Sequence, residues 1–171
     1  MFEQEPKNWL FAEVQRRFPY YVPTPDKHLK IYASGYDKWA PGYLRIILPL
    51  TEMRKAGLIE SRLWEEKTQD GEINQKAMIE DSNWADIIVF HKLHMSQVVN
   101  DIKQMQAFGK AVVMDFDDYL DFVAQTGDEH VAGIWRDVIP DLHDVAAACD
   151  ALFVANRGMI KRYKSVNPNI Y

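Results

Sequence analysis

Short apolar runs alternate along this chain with longer segments whose hydrophobic side chains recur at helical spacing. Residues 29–33, 59–65, 86–91, 111–114 and 151–154 read as strands, and the DIIVFH run at 86–91 has the near-continuous apolar character of a strongly buried one. Between them, 43–56, 73–81, 96–108, 133–149 and 157–164 carry helical periodicity, with Gly57 and Gly109 placed where helices commonly close. Residues 34–42 form a glycine-containing loop before the first of these helices. Upstream, 8–18 reads as a short amphipathic helix with Trp9, Leu10, Val14 and Phe18 at helical spacing, and the proline-rich stretch 19–25 cannot continue it. Strands alternating with helices imply right-handed crossovers, and so an α/β fold: a doubly wound, mainly parallel Rossmann-like sheet with flanking helices. The chain divides into an appendage, 1–28, and the Rossmann-like domain, 29–171.

Composition narrows the function classes. With 171 residues and 47% hydrophobic content, the chain suits a globular domain with a real core, not a disordered or fibrous protein. A formal net charge of −5, with basic residues scattered among acids, argues against a nucleic-acid binder. The small basic group Lys161, Arg162 and Lys164 reads as a solvated helix face. Cys149 is the single cysteine, which excludes an intrachain disulfide and suits a reducing compartment. The N-terminus lacks the apolar core of a secretory signal and no segment reaches the length of a membrane span, so a soluble, cytoplasmic protein is expected.

The chemistry concentrates in KAVVMDFDDYL, where an apolar strand runs straight into Asp115, Asp117 and Asp118. Ligands of α/β proteins gather at the carboxyl ends of parallel strands, so acids there are candidates for general acid/base work, against the alternative of turn-capping residues facing water. His91, Lys92 and His94 follow the preceding strand and fall at the same edge; histidine can move a proton and lysine can hold a phosphate or carboxylate. Zinc is a sharper alternative, but the histidine spacing matches no strong metal signature. In the first loop, Gly35 and Gly42 flank a helix entry with Arg45 on its first turn, an arrangement that lets backbone N–H groups approach an anion or a sugar hydroxyl. Neither a G-x-G-x-x-G nor a P-loop pattern is present.

Two family resemblances follow from these residues. The D-x-D at Asp115 and Asp117 resembles the first motif of haloacid-dehalogenase-like phosphatases, in which the leading Asp is a nucleophile and the second an acid/base with magnesium between. The downstream pattern departs from it: Tyr119 replaces a small hydroxyl residue, and later acids are confined to GDE at 127–129. The ordered set PGYLRIILPLTEMRKAG, ADIIVFHKLHMSQVVNDIKQMQAFGKAVVMDFDDYL, LHDVAAACDALFVANRGMIKRY and VNPNIY resembles the N-terminal domain of GT-B glycosyltransferases of the group 1 and family 4 type, over nearly all of 29–171.

That second resemblance implies transfer of a sugar from a nucleotide-sugar donor to a sugar or other hydroxyl acceptor, with no metal and no other cofactor at the reaction centre. It implies that this domain shapes the acceptor site, with Asp117 or Asp118 orienting or deprotonating the acceptor hydroxyl. Gly42, Tyr43 and Arg45 would line the donor-phosphate side, His91 and Lys92 would contact substrate, and Asn156 stands where relatives often carry a cleft-facing serine. The family's donor-gripping second domain has no counterpart in these residues, so a further domain or a partner chain is expected to complete the cleft. A non-catalytic interaction module is the remaining alternative.

Overall fold

The computed structural model of the chain describes residues 28–34, 40–64, 75–126 and 128–171. The expected helix 8–18, the connector 19–25 and the glycine loop around Gly35 lie outside the described residues. Among the described residues, strands β1 (Leu29–Ser34), β2 (Ile59–Leu63), β3 (Ile87–His91), β4 (Ala111–Phe116) and β5 (Ala151–Val154) form one all-parallel sheet in the order β2-β1-β3-β4-β5. Helices fill the crossovers: α1 (residues 40–55), α2 (Gln75–Trp84), α3 (Val98–Ala107), α4 (Leu120–Thr126), α5 (Glu129–Ala148) and α6 (Arg157–Tyr163). The doubly wound, Rossmann-like α/β class expected from the strand–helix rhythm is therefore the fold observed.

Burial follows the side-chain period of two. On one face, Tyr32, Ile88, Phe90, Val112, Met114, Phe116 and Leu152 join Ile102 of α3, Leu142 and Val145 of α5, and Met159 and Tyr163 of α6 in the larger core. On the other, Leu29, Ile31, Ala33, Leu63 and Val89 pack with Ile46 and Leu50 of α1. Every residue of β4 is buried, as a central strand covered on both sides requires, whereas edge strand β2 alternates. Gly57 (φ +68°) and Gly109 (φ +77°) take the left-handed conformation that closes α1 and α3.

Two carboxylates fix the edge of the sheet where β3 and β5 begin. Asp86 bonds both backbone groups of Lys30, accepting from its N–H at 2.9 Å and donating to its carbonyl at 2.8 Å. Asp150 does the same to Val112 of β4, at 2.8 Å in each direction. An acid just before each strand thus extends a parallel ladder whose first amide would otherwise lack a partner. Residues 169–171 run beside β5: Leu152 N–H donates to the Asn169 carbonyl and Tyr171 N–H to the Leu152 carbonyl, each at 2.9 Å. Buried Asn167 ties this segment down, its amide donating to the Ala146 and Cys149 carbonyls at 3.0 and 2.7 Å.

Several expected boundaries are corrected. Strand β4 extends two residues beyond Met114, so Asp115 is inside the sheet and not in the loop after it. Helix α1 already includes Ala40–Gly42, which places Gly42 inside a helix, buried, with ordinary helical angles (φ −63°, ψ −40°), and not in an anion-binding loop. Helix α4 was not anticipated, and α5 begins at Glu129, before the expected residue 133. Among the described residues no helix is long and apolar enough to cross a membrane.

Candidate functional site

The site lies at the carboxyl ends of β1, β3 and β4, where the strand order reverses and the helices leave for opposite faces. His91, the last residue of β3, and Asp115, the last but one of β4, are register partners on adjacent parallel strands, so their side chains share a face. That face is the one α1 covers, which is how Arg45 reaches Asp115. The Arg45 guanidinium grips the carboxylate with two donors, Nε to Oδ2 at 2.8 Å and Nη2 to Oδ1 at 2.5 Å. The hydrogen bond to Asp115, opposed by partial burial and reinforced by the charges of Asp115 and Asp117, holds Arg45 more firmly protonated than usual.

Helix α1 is locally widened to deliver this contact. Residues Tyr43–Ile47 form a π-helical stretch in which Leu48 N–H bonds the Tyr43 carbonyl. Pro49, four residues after Arg45, supplies no N–H to the Arg45 carbonyl and crowds it with its ring, and a widened turn relieves both. Such single-turn π stretches concentrate at functional sites, where they re-aim one side chain.

The row continues across the edge. His91 Nε2 lies 3.7 Å from Asp115 Oδ2 and 3.5 Å from Asp117 Oδ1. Lys92 Nζ lies 2.6 Å from Asp117 Oδ1 and 3.5 Å from Asp118 Oδ2. Lys92 has a left-handed backbone (φ +49°), costly for a residue with a Cβ, while its N–H still bonds the Asp115 carbonyl at 3.0 Å. The chain thus turns sharply out of β3 without breaking its ladder to β4, and this aims the lysine at the acidic turn. Burial pushes the Asp117 carboxyl up, but the hydrogen bond and charge of Lys92, with His91, outweigh it and hold the group ionised below its usual range.

Accessibility sorts these residues into two tiers. The His91 and Asp115 side chains are 2% and 5% exposed and lie behind the outer groups. Asp117, Lys92 and Arg45 are partly open, and the Asp118 side chain is 61% exposed. The structure therefore brings together Arg45, His91, Lys92, Asp117 and Asp118, with Asp115, also a candidate acid from the sequence, at their centre. Gly42 and Tyr43 precede Arg45 on α1, Gly42 buried and Tyr43 exposed. Asn156 lies just past the end of β5 at the same sheet edge, but its Oδ1 caps α6 by accepting from Met159 N–H at 3.1 Å, a structural use sequence reasoning did not assign.

Helices α4 and α6 hold the acidic turn from its far side. The Arg162 guanidinium stacks over the Tyr119 ring at 4.5 Å, and Tyr163 donates to Asp121 Oδ2 at 2.6 Å. Arg162 is thus not simply a solvated basic residue. Of the GDE acids, Asp128 caps α5 through His130 N–H, and Glu129 pairs with Arg136. Among the described residues, no group of three or more His, Cys, Asp and Glu side chains is arranged to hold a metal ion. Comparison of the sequence with models of protein families and with curated proteins finds no match.

Proposed function

We propose that this domain forms the acceptor side of a GT-B glycosyltransferase that moves a sugar from a nucleotide-sugar donor to a hydroxyl acceptor without a metal at the reaction centre. The observation that carries the reading is the row of Arg45, Asp115, His91, Asp117, Lys92 and Asp118 at the strand edge where open α/β sheets bind ligands. In this reading the acceptor oxygen attacks the anomeric carbon, its proton passes to the exposed Asp118 carboxylate, and the nucleoside diphosphate departs with the bonding electron pair. Asp117, kept ionised by Lys92, orients the acceptor hydroxyls. The partly open Arg45 and Lys92 face the charge that builds on the leaving diphosphate. The remaining donor contacts come from a second domain or a partner chain.

The phosphatase-like alternative needs the first aspartate of the D-x-D pair free to attack phosphorus. Both oxygens of Asp115 bind Arg45 and its side chain is 5% exposed, which favours the glycosyl-transfer reading. The test is consumption of radiolabelled nucleotide-sugars by the natural protein across a panel of saccharide acceptors. Asp118→Asn and Asp117→Asn are expected to lower transfer by about a hundredfold or more. Undiminished transfer by the double variant, or no transfer to any hydroxyl acceptor, would overturn the assignment.

A further inference from the structure

Two residues bracket the acidic pair, Phe116 before it and Tyr119 after it, and both pack on one side chain. The Tyr163 ring lies parallel to Phe116, with centroids 5.2 Å apart and planes 3° apart, and meets Tyr119 edge-on at 5.8 Å. Its hydroxyl donates to Asp121 in the first turn of α4, and His143 of α5 lies 2.9 Å from the other oxygen of that carboxylate. Arg162, the neighbour of Tyr163, covers Tyr119 and donates to its hydroxyl at 3.3 Å. We propose that the Tyr163 ring is the positioning element of the acidic turn, clamping Phe116 and Tyr119 so that the two residues between them are presented to Lys92.

Phe116 belongs to the larger core and Asp115 faces α1, so alternation returns Asp117 to the face of His91 only while the chain stays extended. Strand pairing alone does not fix that return: β4 ends at Phe116, and Asp117 to Tyr119 carry no regular secondary structure. A nearly fully buried aromatic touching both ends of the turn supplies the constraint, since stacked and edge-on ring pairs hold orientation as well as area. Tyr163 reaches it from α6, 42 residues downstream of Asp121.

The test reads the Asp117 carboxyl by carbon NMR titration of the full chain labelled at aspartate. Tyr163→Leu, which removes both ring contacts, is expected to raise the Asp117 titration as the Lys92 contact loosens. Tyr163→Phe keeps the ring and is expected to titrate Asp117 as the parent does. Asn167→Ala weakens the same region without touching the turn and is expected to leave Asp117 unchanged. An unchanged Asp117 in folded Tyr163→Leu, a shift in Tyr163→Phe as large as in the Leu variant, or an equal shift in Asn167→Ala would each overturn the proposal. Should the Leu variant fail to fold, Tyr163→Met, which removes the same two ring contacts with a more adaptable side chain, takes its place: a raised Asp117 titration supports the clamp and an unmoved one refutes it. No activity enters the readout, so failure of the glycosyl-transfer reading would leave the result standing.

Discussion

Arg45 and Asp115, 70 residues apart in sequence, meet through two hydrogen bonds that join helix α1 to the end of a central strand. Asp115 is nearly buried, so removing the guanidinium leaves a carboxylate with poor access to water. Arg45→Met is expected to cost about 3 kcal/mol of stability, and Asp115→Asn a comparable amount. The double variant should cost clearly less than the sum, because neither group is then left unpaired. Urea denaturation of the four proteins checks this; additive losses would show that the pair is not coupled.

Lys92 and Asp117 predict a pH signature. A carboxyl whose folded titration lies below its unfolded value adds stability that is fully present above the unfolded value, near pH 4, and is lost as pH falls through the folded one. Stability should therefore fall on acidification with a contribution that shrinks in Lys92→Met, where burial of Asp117 is opposed only by His91 and a backbone hydrogen bond. Unfolding free energies between about pH 2 and pH 6 decide the matter; parallel curves for parent and variant would contradict it.

The Cys149 thiol, 5% exposed, is pushed up to about 12 by burial, with the Asp150 charge adding to the effect. The thiolate needed for reaction is scarce and enclosed. Alkylation of native protein by iodoacetamide is expected to proceed only through opening, at a rate that climbs with low concentrations of urea. Rapid labelling without denaturant would contradict the burial.

Asn167 donates two hydrogen bonds into the α5 terminus and accepts one from Asn169 N–H at 2.9 Å. Asn167→Ala should lose about 1–3 kcal/mol, since two buried carbonyls lose their donor. The local consequence is sharper: the Leu152 and Val154 amides, which donate to the Asn169 and Tyr171 carbonyls, should lose hydrogen-exchange protection before those of β4. Uniform loss across the sheet would refute the anchoring role.

The strand–helix rhythm was legible because burial on both faces leaves an unmistakable apolar run, and β5 was read to the residue. Helix α4 was missed because its seven residues, LDFVAQT, are too few to display a helical period. The acidic turn announced itself through charge beside an apolar strand. Its partner Arg45 did not, since that pairing depends on the shared face of β3 and β4 and on a widened turn in α1, neither of which is a local property. The capping use of Asn156 was not legible, since the resemblance places the residue only by its position after β5 and says nothing of the Met159 N–H that its side chain accepts. Arg162 was read as solvated because its use appears only when Tyr119 is folded beneath it.

Asp86 and Asp150 lock β3 to β1 and β5 to β4 at the end of the sheet opposite Lys92 and the acidic turn. These anchors thus lie far from the turns that follow β3 and β4. The turns after β3 and β4 lie at the other end and take no part in those hydrogen bonds. Such a scaffold lends itself to loop exchange: new turns grafted onto the ends of β3 and β4 would leave these anchoring bonds in place beneath them.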